Sequence, residues 1–176
     1  MEVQVELLEA LFEKLQLQSF TLVGYSMGGR VALSYAVRYS KRIEQLILES
    51  ASPGLSGDDE RNTRKISDDV LAEKIMQNGI TSFVDKWANI PLFASQKRLP
   101  EEAQQQIRNE RLGQTAIGLA NSLRGIGTGV MPALWDQLAT LSMPVTLITG
   151  ALDEKFIKLN EKMVNSLPQA THMTIP

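Results

Sequence analysis

The chain has 176 residues, of which 43% are hydrophobic and 22% charged, and its formal net charge is -2 at pH 7. This length allows one domain with a core, while the small negative charge argues against nucleic acid as a partner and the lack of cysteine excludes disulfides and thiolate metal sites. No apolar run could span a membrane and no signal peptide is visible, so we expect a cytoplasmic protein without a membrane partner. The sequence does not indicate the oligomeric state.

Residues 1–55 show an alternation of helical and extended patterns. Apolar residues recur at helical spacing and then in a short run rich in β formers, and both patterns repeat once. They predict a helix at 7–15, a buried strand at 20–23, a helix at 28–39 and a strand at 46–48. Because strand, helix and strand follow one another, we expect parallel strands joined by a helical crossover.

Residues 56–129 have a different character, since they hold most of the charged residues and no convincing strand pattern. Helical spacing recurs at 70–76, 80–87, 101–112 and 116–123. We interpret this segment as a helical lid inserted over the sheet. Residues 130–176 return to the core pattern, with a strand at 144–150, a helix at 156–167 and a last strand from 173. The predicted fold class is α/β, a parallel sheet with an inserted helical lid.

Residues 24–28 read Gly-Tyr-Ser-Met-Gly and match the motif Gly-x-Ser-x-Gly. They lie between a predicted strand and a predicted helix, which is the context that the nucleophile elbow of the α/β-hydrolase fold requires. We therefore expect Ser26 to be the reactive catalytic residue, held in a strained backbone conformation. Because Gly24 and Gly28 have no side chain, we expect them to avoid collisions with neighbouring backbone in this turn.

The helix that starts at this turn offers free N–H groups and partial positive charge next to the serine. The N–H of Met27 is therefore a candidate donor to an oxyanion. Two other interpretations of the turn are weaker. A tightly packed turn without chemistry is uncommon where motif and context agree, and a phosphate-binding loop would need a lysine and a different glycine spacing.

A catalytic triad on this fold runs serine, then Asp or Glu, then histidine along the chain. Asp153 follows a predicted strand and is the candidate acid, which would orient a histidine and stabilise its charged form. Its alternative role is that of an N-cap for the next helix. The single histidine, His172, is expected to be a strand residue, because a catalytic histidine belongs in the loop after that strand.

The expected place of the catalytic histidine is beyond Pro176, where the last predicted strand is incomplete. The chain also shows no strands before its first helix and no His-Gly loop for a second oxyanion donor. It therefore has the pattern of a portion of an enzyme, which we expect to be inactive by itself. A non-catalytic binding or structural fragment is one alternative, and appreciable Ser26-dependent turnover by this chain alone would contradict the missing base.

Segments over nearly the whole chain carry a family resemblance: residues 24–33, 48–55, 91–93, 107–112, 127–135 and 150–156, with Trp87. The elbow is shared by many esterases, whereas Arg30 after the double glycine, the lid pattern and the Asp-x-Lys-Phe at 153–156 are more specific. Together these segments resemble the MenH family of menaquinone biosynthesis, the 2-succinyl-6-hydroxy-2,4-cyclohexadiene-1-carboxylate synthases.

The resemblance implies a carbon–oxygen lyase that removes a proton from 2-succinyl-5-enolpyruvyl-6-hydroxy-3-cyclohexene-1-carboxylate and eliminates pyruvate, with the triad as base and no metal or organic cofactor. Arginines would bind the carboxylates of this small-molecule substrate. By the resemblance, the substrate-binding residues are Tyr25, Arg30, Arg64, Trp87 and Arg108. Each arginine could instead be solvated and Trp87 could be lid core, while Arg111 and Arg124 are expected at the surface or in lid ion pairs.

The alternative catalytic function is that of a serine carboxylesterase or a carbon–carbon bond hydrolase of the same fold. The elbow alone cannot separate these reactions, because all of them use the same serine turn. Full-length protein that releases pyruvate and barely hydrolyses nitrophenyl esters would be the lyase, and the reverse pattern would indicate an esterase.

Overall fold

The computed structural model describes all 176 residues, which form six α-helices and four β-strands. The helices are α1 (Glu2–Lys14), α2 (Ser26–Arg38), α3 (Asp58–Trp87), α4 (Glu101–Leu112), α5 (Ala116–Ile126) and α6 (Glu154–Ser166). The strands are β1 (Phe20–Tyr25), β2 (Ile43–Glu49), β3 (Val145–Gly150) and β4 (Ala170–Ile175). Short 3-10 helices lie at Ser40–Arg42, Pro91–Arg98 and Trp135–Thr140.

The four strands form one parallel sheet in the order β1-β2-β3-β4. Tyr25 pairs with Glu49 at the ends of β1 and β2, and Gly150 pairs with Ile175 at the ends of β3 and β4. The carboxyl ends of all four strands therefore lie at one edge, which is where open parallel sheets bind ligands. The parallel pairing predicted from the strand–helix–strand order is confirmed.

One face of the sheet packs on the hydrophobic core. Alternate residues of the two central strands are almost completely buried, among them Leu46, Leu48 and Leu147. Helix α2 packs on β1 and β2, α6 packs on β3 and β4, and α1 packs on α2. Burying each of these leucines contributes about 2 kcal/mol. The elbow is therefore anchored at both ends in a rigid layer.

Strand β1 is less buried in this chain than its apolar run predicted, because the chain contains no strand that pairs with its other edge. β1 is the first strand in the sheet order, so it pairs with β2 alone, and its burial alternates along the strand. Val23 is 64% exposed, whereas the next residue, Gly24, is buried. An apolar run records residue types and not the neighbours that cover them, so it cannot distinguish an edge strand from a central one.

Only helices and turns lie between β2 and β3, and we refer to residues 58–126 as the lid. α3 bends at Gly79, whose φ of 76° and ψ of 172° interrupt the helix between the patterns at 70–76 and 80–87. α3 packs along α5. The helical patterns predicted for this segment are confirmed, while its division from the core stays a prediction. No helix of the protein combines the length and apolarity that crossing a membrane requires.

Candidate active site

The turn from β1 into α2 places Ser26 in a strained backbone conformation. β1 ends at Tyr25 and α2 begins at Ser26, whose φ is 49°. A left-handed φ costs a non-glycine residue about 1 kcal/mol or more, so the surrounding packing must hold it. The strained serine predicted from the motif is confirmed. Ser26 is exposed at the carboxyl edge of the sheet and at the N-terminus of a helix.

Close backbone contact explains two of the three glycines in this turn. A Cβ on Gly24 would lie 2.6 Å from the Cα of Gly29, and a Cβ on Gly29 would lie 2.4 Å from the Cβ of Ala51. A Cβ on Gly28 would meet nothing within 4 Å. The prediction that Gly28 avoids a collision is therefore wrong. Gly29 has that role, because its Cα faces both Gly24 and Ala51.

A cavity of about 250 Å³ lies between the N-terminus of α2 and the lid. Three arginines line it: Arg30 from α2, Arg64 from α3 and Arg111 from α4. Apolar side chains form much of the remaining wall, which includes Met27 and Trp87. Because guanidinium groups stay charged at any physiological pH, this combination suits an organic anion.

Arg30 is four residues beyond the serine and is held against the end of the lid. Its Nη1 donates to the carbonyl oxygen of Ile126 at 3.0 Å and lies 3.7 Å from the sulfur of Met131. Burial lowers the pKa of Arg30, the like charge of Arg64 lowers it further, and the carboxylate of Asp68 opposes both effects. These contacts use one nitrogen, so other guanidinium donors remain for a ligand.

Side chains of the lid hold the other two arginines. Nε of Arg64 donates to Oδ1 of Asp68 at 2.8 Å. Nη2 of Arg111 donates to Oε1 of Gln96 at 3.0 Å, and its guanidinium carbon lies 4.5 Å from the ring centroid of Phe93. Stacking on an aromatic ring restricts the plane of a guanidinium. The position of both side chains is therefore restricted, and the two partners of the Arg111 guanidinium line a neighbouring cavity instead of this one.

Arg108 does not line this cavity, although the family resemblance favoured it over Arg111. It pairs with Asp85 and lines a separate cavity of about 300 Å³, which Arg111 also reaches. The two arginines are three residues apart on α4, so helical spacing shows that they are neighbours but not which one faces the elbow. The substrate-binding role predicted for Arg108 stays untested, and Arg111, which was expected at the surface or in a lid ion pair, lines both cavities.

Trp87 lines the arginine cavity and also belongs to an aromatic cluster of the lid. Its ring centroid lies 5.3 Å from that of Phe83 in a stacked arrangement and 5.8 Å from that of Phe93. Its aromatic contacts are those of a lid core residue, while its substrate-binding role stays a prediction. Arg124 pairs with Glu73 on α3, which confirms its expected place in a lid ion pair.

A groove of about 600 Å³ runs along the carboxyl edge of the sheet, with Tyr25 and Asp153 in its walls. Tyr25 lines this groove and Met27 lines the arginine cavity, whereas Ser26 itself is among the lining residues of neither. Oδ1 of Asp153 accepts a hydrogen bond from the N–H of Phe156 at 3.1 Å. The N-cap role of Asp153 is confirmed, while its second oxygen is free for the triad role, which stays a prediction.

His172 lies within β4, three residues before the end of the strand. Its Nε2 lies 2.8 Å from Oγ1 of Thr149 on the neighbouring strand β3. The prediction that His172 is a strand residue is confirmed. Because it lies within the strand and not in the loop beyond it, and its Nε2 is bonded to Thr149, we do not assign it as the base of Ser26.

A sequence model of the α/β hydrolase fold matches residues 1–176. The chain belongs to the α/β hydrolase fold family. The fold class predicted from the elbow is thereby confirmed. Among solved α/β hydrolase structures, the chain is similar to MenH from S. aureus, with a TM-score of 0.93 and 43% sequence identity. That similarity covers 97% of this chain and 64% of the S. aureus chain.

Two curated relatives agree with this α/β hydrolase neighbour. The chain is 45% identical over 173 residues to a Bacillus subtilis (strain 168) protein provisionally named 2-succinyl-6-hydroxy-2,4-cyclohexadiene-1-carboxylate synthase, covering 98% of this chain and 63% of the relative. It is 29% identical over 160 residues to the synthase of that name from Serratia proteamaculans (strain 568), covering 89% and 62%. The resemblance found in the sequence is confirmed, and the chain spans less than two thirds of these relatives' length.

Proposed function

We propose that this protein is a carbon–oxygen lyase of menaquinone (vitamin K2) biosynthesis, a 2-succinyl-6-hydroxy-2,4-cyclohexadiene-1-carboxylate synthase. The observation that carries the proposal is the cavity beside the serine turn, where Arg30, Arg64 and Arg111 meet apolar walls. A guanidinium pairs a carboxylate through two parallel hydrogen bonds, so three of them suit a polycarboxylate better than a neutral ester. The names of the relatives support the same reaction.

The proposed elimination acts on 2-succinyl-5-enolpyruvyl-6-hydroxy-3-cyclohexene-1-carboxylate and balances without an oxidant or a second substrate. A base removes the proton from C2 of the ring, and the electron pair of that C–H bond forms the C2=C3 double bond. The C3=C4 double bond moves to C4=C5, and the C5–O bond breaks. Pyruvate leaves as its enolate, which takes up a proton, and the 2,4-diene remains.

The elbow is the proposed place of proton removal. Ser26 would take the proton as an oxygen activated by a histidine that Asp153 orients. The N-terminus of α2 favours negative charge on this oxygen, because its free N–H groups and its dipole point there. The N–H of Met27 would donate to the succinyl carbonyl oxygen as negative charge develops on it. Tyr25 and Trp87 would border the ring from the groove and the cavity.

Replacing Ser26 with alanine in the full-length protein tests the mechanism. We expect pyruvate release to fall by at least about a thousandfold, because members of a triad act as a unit. Pyruvate is measured by coupling its release to lactate dehydrogenase. The control is Ser166→Ala, because the Ser166 hydroxyl is exposed at the end of α6 and only contacts the carbonyl of Lys162.

Hydrolysis of a nitrophenyl ester by the same preparations separates the lyase from the esterase alternative. A lyase should turn the ester over slowly, since a neutral ester gains nothing from three cationic groups. Fast Ser26-dependent ester hydrolysis without pyruvate release would establish the carboxylesterase instead. Pyruvate release that survives Ser26→Ala would rule out the serine as the base.

A further inference from the structure

The carboxylate of Asp68 lies beneath the arginine cavity, and the proposed mechanism leaves it without a role. Asp68 belongs to α3 and is only 4% exposed. Oδ1 accepts the hydrogen bond from Nε of Arg64, whereas Oδ2 is buried without a hydrogen-bond partner. Burying a carboxylate with an unpaired oxygen costs free energy, so a buried aspartate at a ligand site calls for a functional explanation.

The geometry of the Arg64–Asp68 pair keeps one side of the guanidinium available. The bond runs through Nε, so neither terminal nitrogen of Arg64 is used by the carboxylate. The Arg64 side chain is 47% exposed and lines the cavity, whereas the Asp68 side chain is 6% exposed. A carboxylate that accepts a hydrogen bond from Nε restricts the rotation of a long side chain and leaves its terminal N–H groups directed away from the carboxylate.

Of two glycines after α5, one makes room for this carboxylate and the other lets the backbone lie close to α3. A Cβ on Gly127 would lie 2.7 Å from Oδ2 of Asp68, and a Cβ on Gly129 would lie 2.4 Å from the backbone nitrogen of Lys65. The segment 127–129 therefore lies directly against α3 in the turn that carries Asp68. The carbonyl of the preceding residue, Ile126, accepts the hydrogen bond of Arg30. One short segment therefore contacts both the Arg30 guanidinium and the Asp68 carboxylate.

The positive charges of Arg30 and Arg64 both lie near the carboxylate of Asp68. Arg30 and Arg64 are close enough for the charge of one to disfavour the charge of the other, and Asp68 offsets that repulsion. Without a ligand, Asp68 is the carboxylate that lets two guanidinium groups share one small cavity.

We propose that Asp68 is a positioning residue, which holds Arg64 by its Nε so that the terminal N–H groups of Arg64 and the guanidinium of Arg30 meet a carboxylate of the ligand together. This inference rests on the proposed function only in taking the cavity as the site of a polycarboxylate. Asp68 itself does not touch the ligand.

A double-substitution cycle with propane-1,2,3-tricarboxylate as the probe tests this role in the full-length protein. Calorimetry measures the dissociation constant for the unaltered chain, Arg64→Ala, Asp68→Ala and the double variant. We expect each single variant to bind about tenfold more weakly, and the double variant to bind no more weakly than Arg64→Ala. Propane-1,2,3-tricarboxamide, which has the same shape without charge, should not bind.

Asp69→Ala is the matched control. Asp69 is the next residue on α3 and is 49% exposed opposite Arg124, so its removal changes the net charge equally without touching Arg64. It should alter probe binding by less than about twofold, in line with screened surface charge. Where Asp68→Ala lowers the yield of folded protein, the isosteric pair Asp68→Asn and Asp69→Asn repeats the comparison, and only the former should weaken binding.

The outcomes separate the positioning role from the proposed function. The positioning role would be overturned if the Asp68 and Asp69 variants bound the probe equally well. It would also be overturned if the factors by which Arg64→Ala and Asp68→Ala raise the dissociation constant multiplied in the double variant. Either result would leave the cavity assignment intact. If the unaltered chain fails to bind the tricarboxylate, or Arg30→Ala binds it equally well, the cavity is not a polycarboxylate site and both proposals are wrong.

Discussion

The apolar cluster beneath the sheet contains 18 buried residues, and none of them belongs to the lid. Leu147 and Met163 are typical members, drawn from β3 and α6. The lid has few buried residues, and ion pairs such as that of Arg124 with Glu73 tie its helices together. Buried apolar area stabilises a fold far more than exposed ion pairs, which contribute about 0–1 kcal/mol each.

This difference places the two halves of the candidate site on parts of unequal stability. Ser26 and Arg30 lie on α2, which is anchored in the core, whereas Arg64 and Arg111 lie on the lid. We therefore expect the lid to open at a lower free energy than the core unfolds. Opening of the lid would admit a ligand while the serine turn keeps its geometry.

The largest expected effect is that of Leu147→Ala in β3. Leu147 is completely buried, so the resulting cavity should lower the free energy of unfolding by about 3–4 kcal/mol in denaturant titrations. Ile75→Ala removes a similarly buried side chain from the lid. The resulting loss of local stability should appear as faster amide hydrogen exchange confined to residues 58–126. An equal fall in global stability for both variants would mean that core and lid unfold as one unit.

Gly29→Ala should have the next largest effect, because its Cβ would collide with Ala51 and with the backbone of Gly24. We expect a loss of about 2–3 kcal/mol, measured by thermal unfolding. The control is Gly28→Ala one residue earlier, where the added Cβ meets open space. It should leave stability unchanged or raise it slightly, since alanine favours a helix over glycine. A similar loss for both variants would contradict the assigned contacts.

Gly79→Ala tests the bend of the lid. Its φ of 76° and ψ of 172° suit glycine alone, while the added Cβ would meet no atom within 4 Å, so only the backbone is strained. We expect a loss of about 1–2 kcal/mol that appears as local hydrogen exchange in the lid. Gly125→Ala in α5, also unobstructed but without a positive φ, should cause no loss. Exchange that spreads into β2 and β3 would argue against an independent lid.

The smallest expected effect is that of Arg124→Ala, which should cost less than about 1 kcal/mol. The side chains of Arg124 and Glu73 are 38% and 60% exposed, so the cost should disappear in denaturant titrations at high salt. Arg42→Ala should cost more and depend less on salt, because Arg42 pairs with Glu9 where the core covers both side chains. The reverse order would break the proposed contrast between lid and core.

Local patterns predicted much of this structure. The helical spacing at 101–112 coincides with α4, and the extended run at 144–150 coincides with β3 apart from its first residue. The motif around Ser26 predicted a strained residue between a strand and a helix, because such a turn requires glycines at short range. In each case the decisive information lies within about a dozen consecutive residues.

Other features lay beyond those patterns. Arg108 and Arg111 occupy equivalent places in a helical pattern, and only the packing of α4 shows which one meets Arg30. The role of Gly29 depends on Ala51, a contact across 22 positions.

The sequence by itself determined the order of the elements, the turn that presents the serine and the family to which the chain belongs. Those features follow from side-chain spacing and from the backbone freedom of glycine, which act over a few residues. The tertiary structure alone decided which arginines share a cavity and where Asp68 is buried. These depend on groups far apart in the chain that meet only when helices and strands pack together.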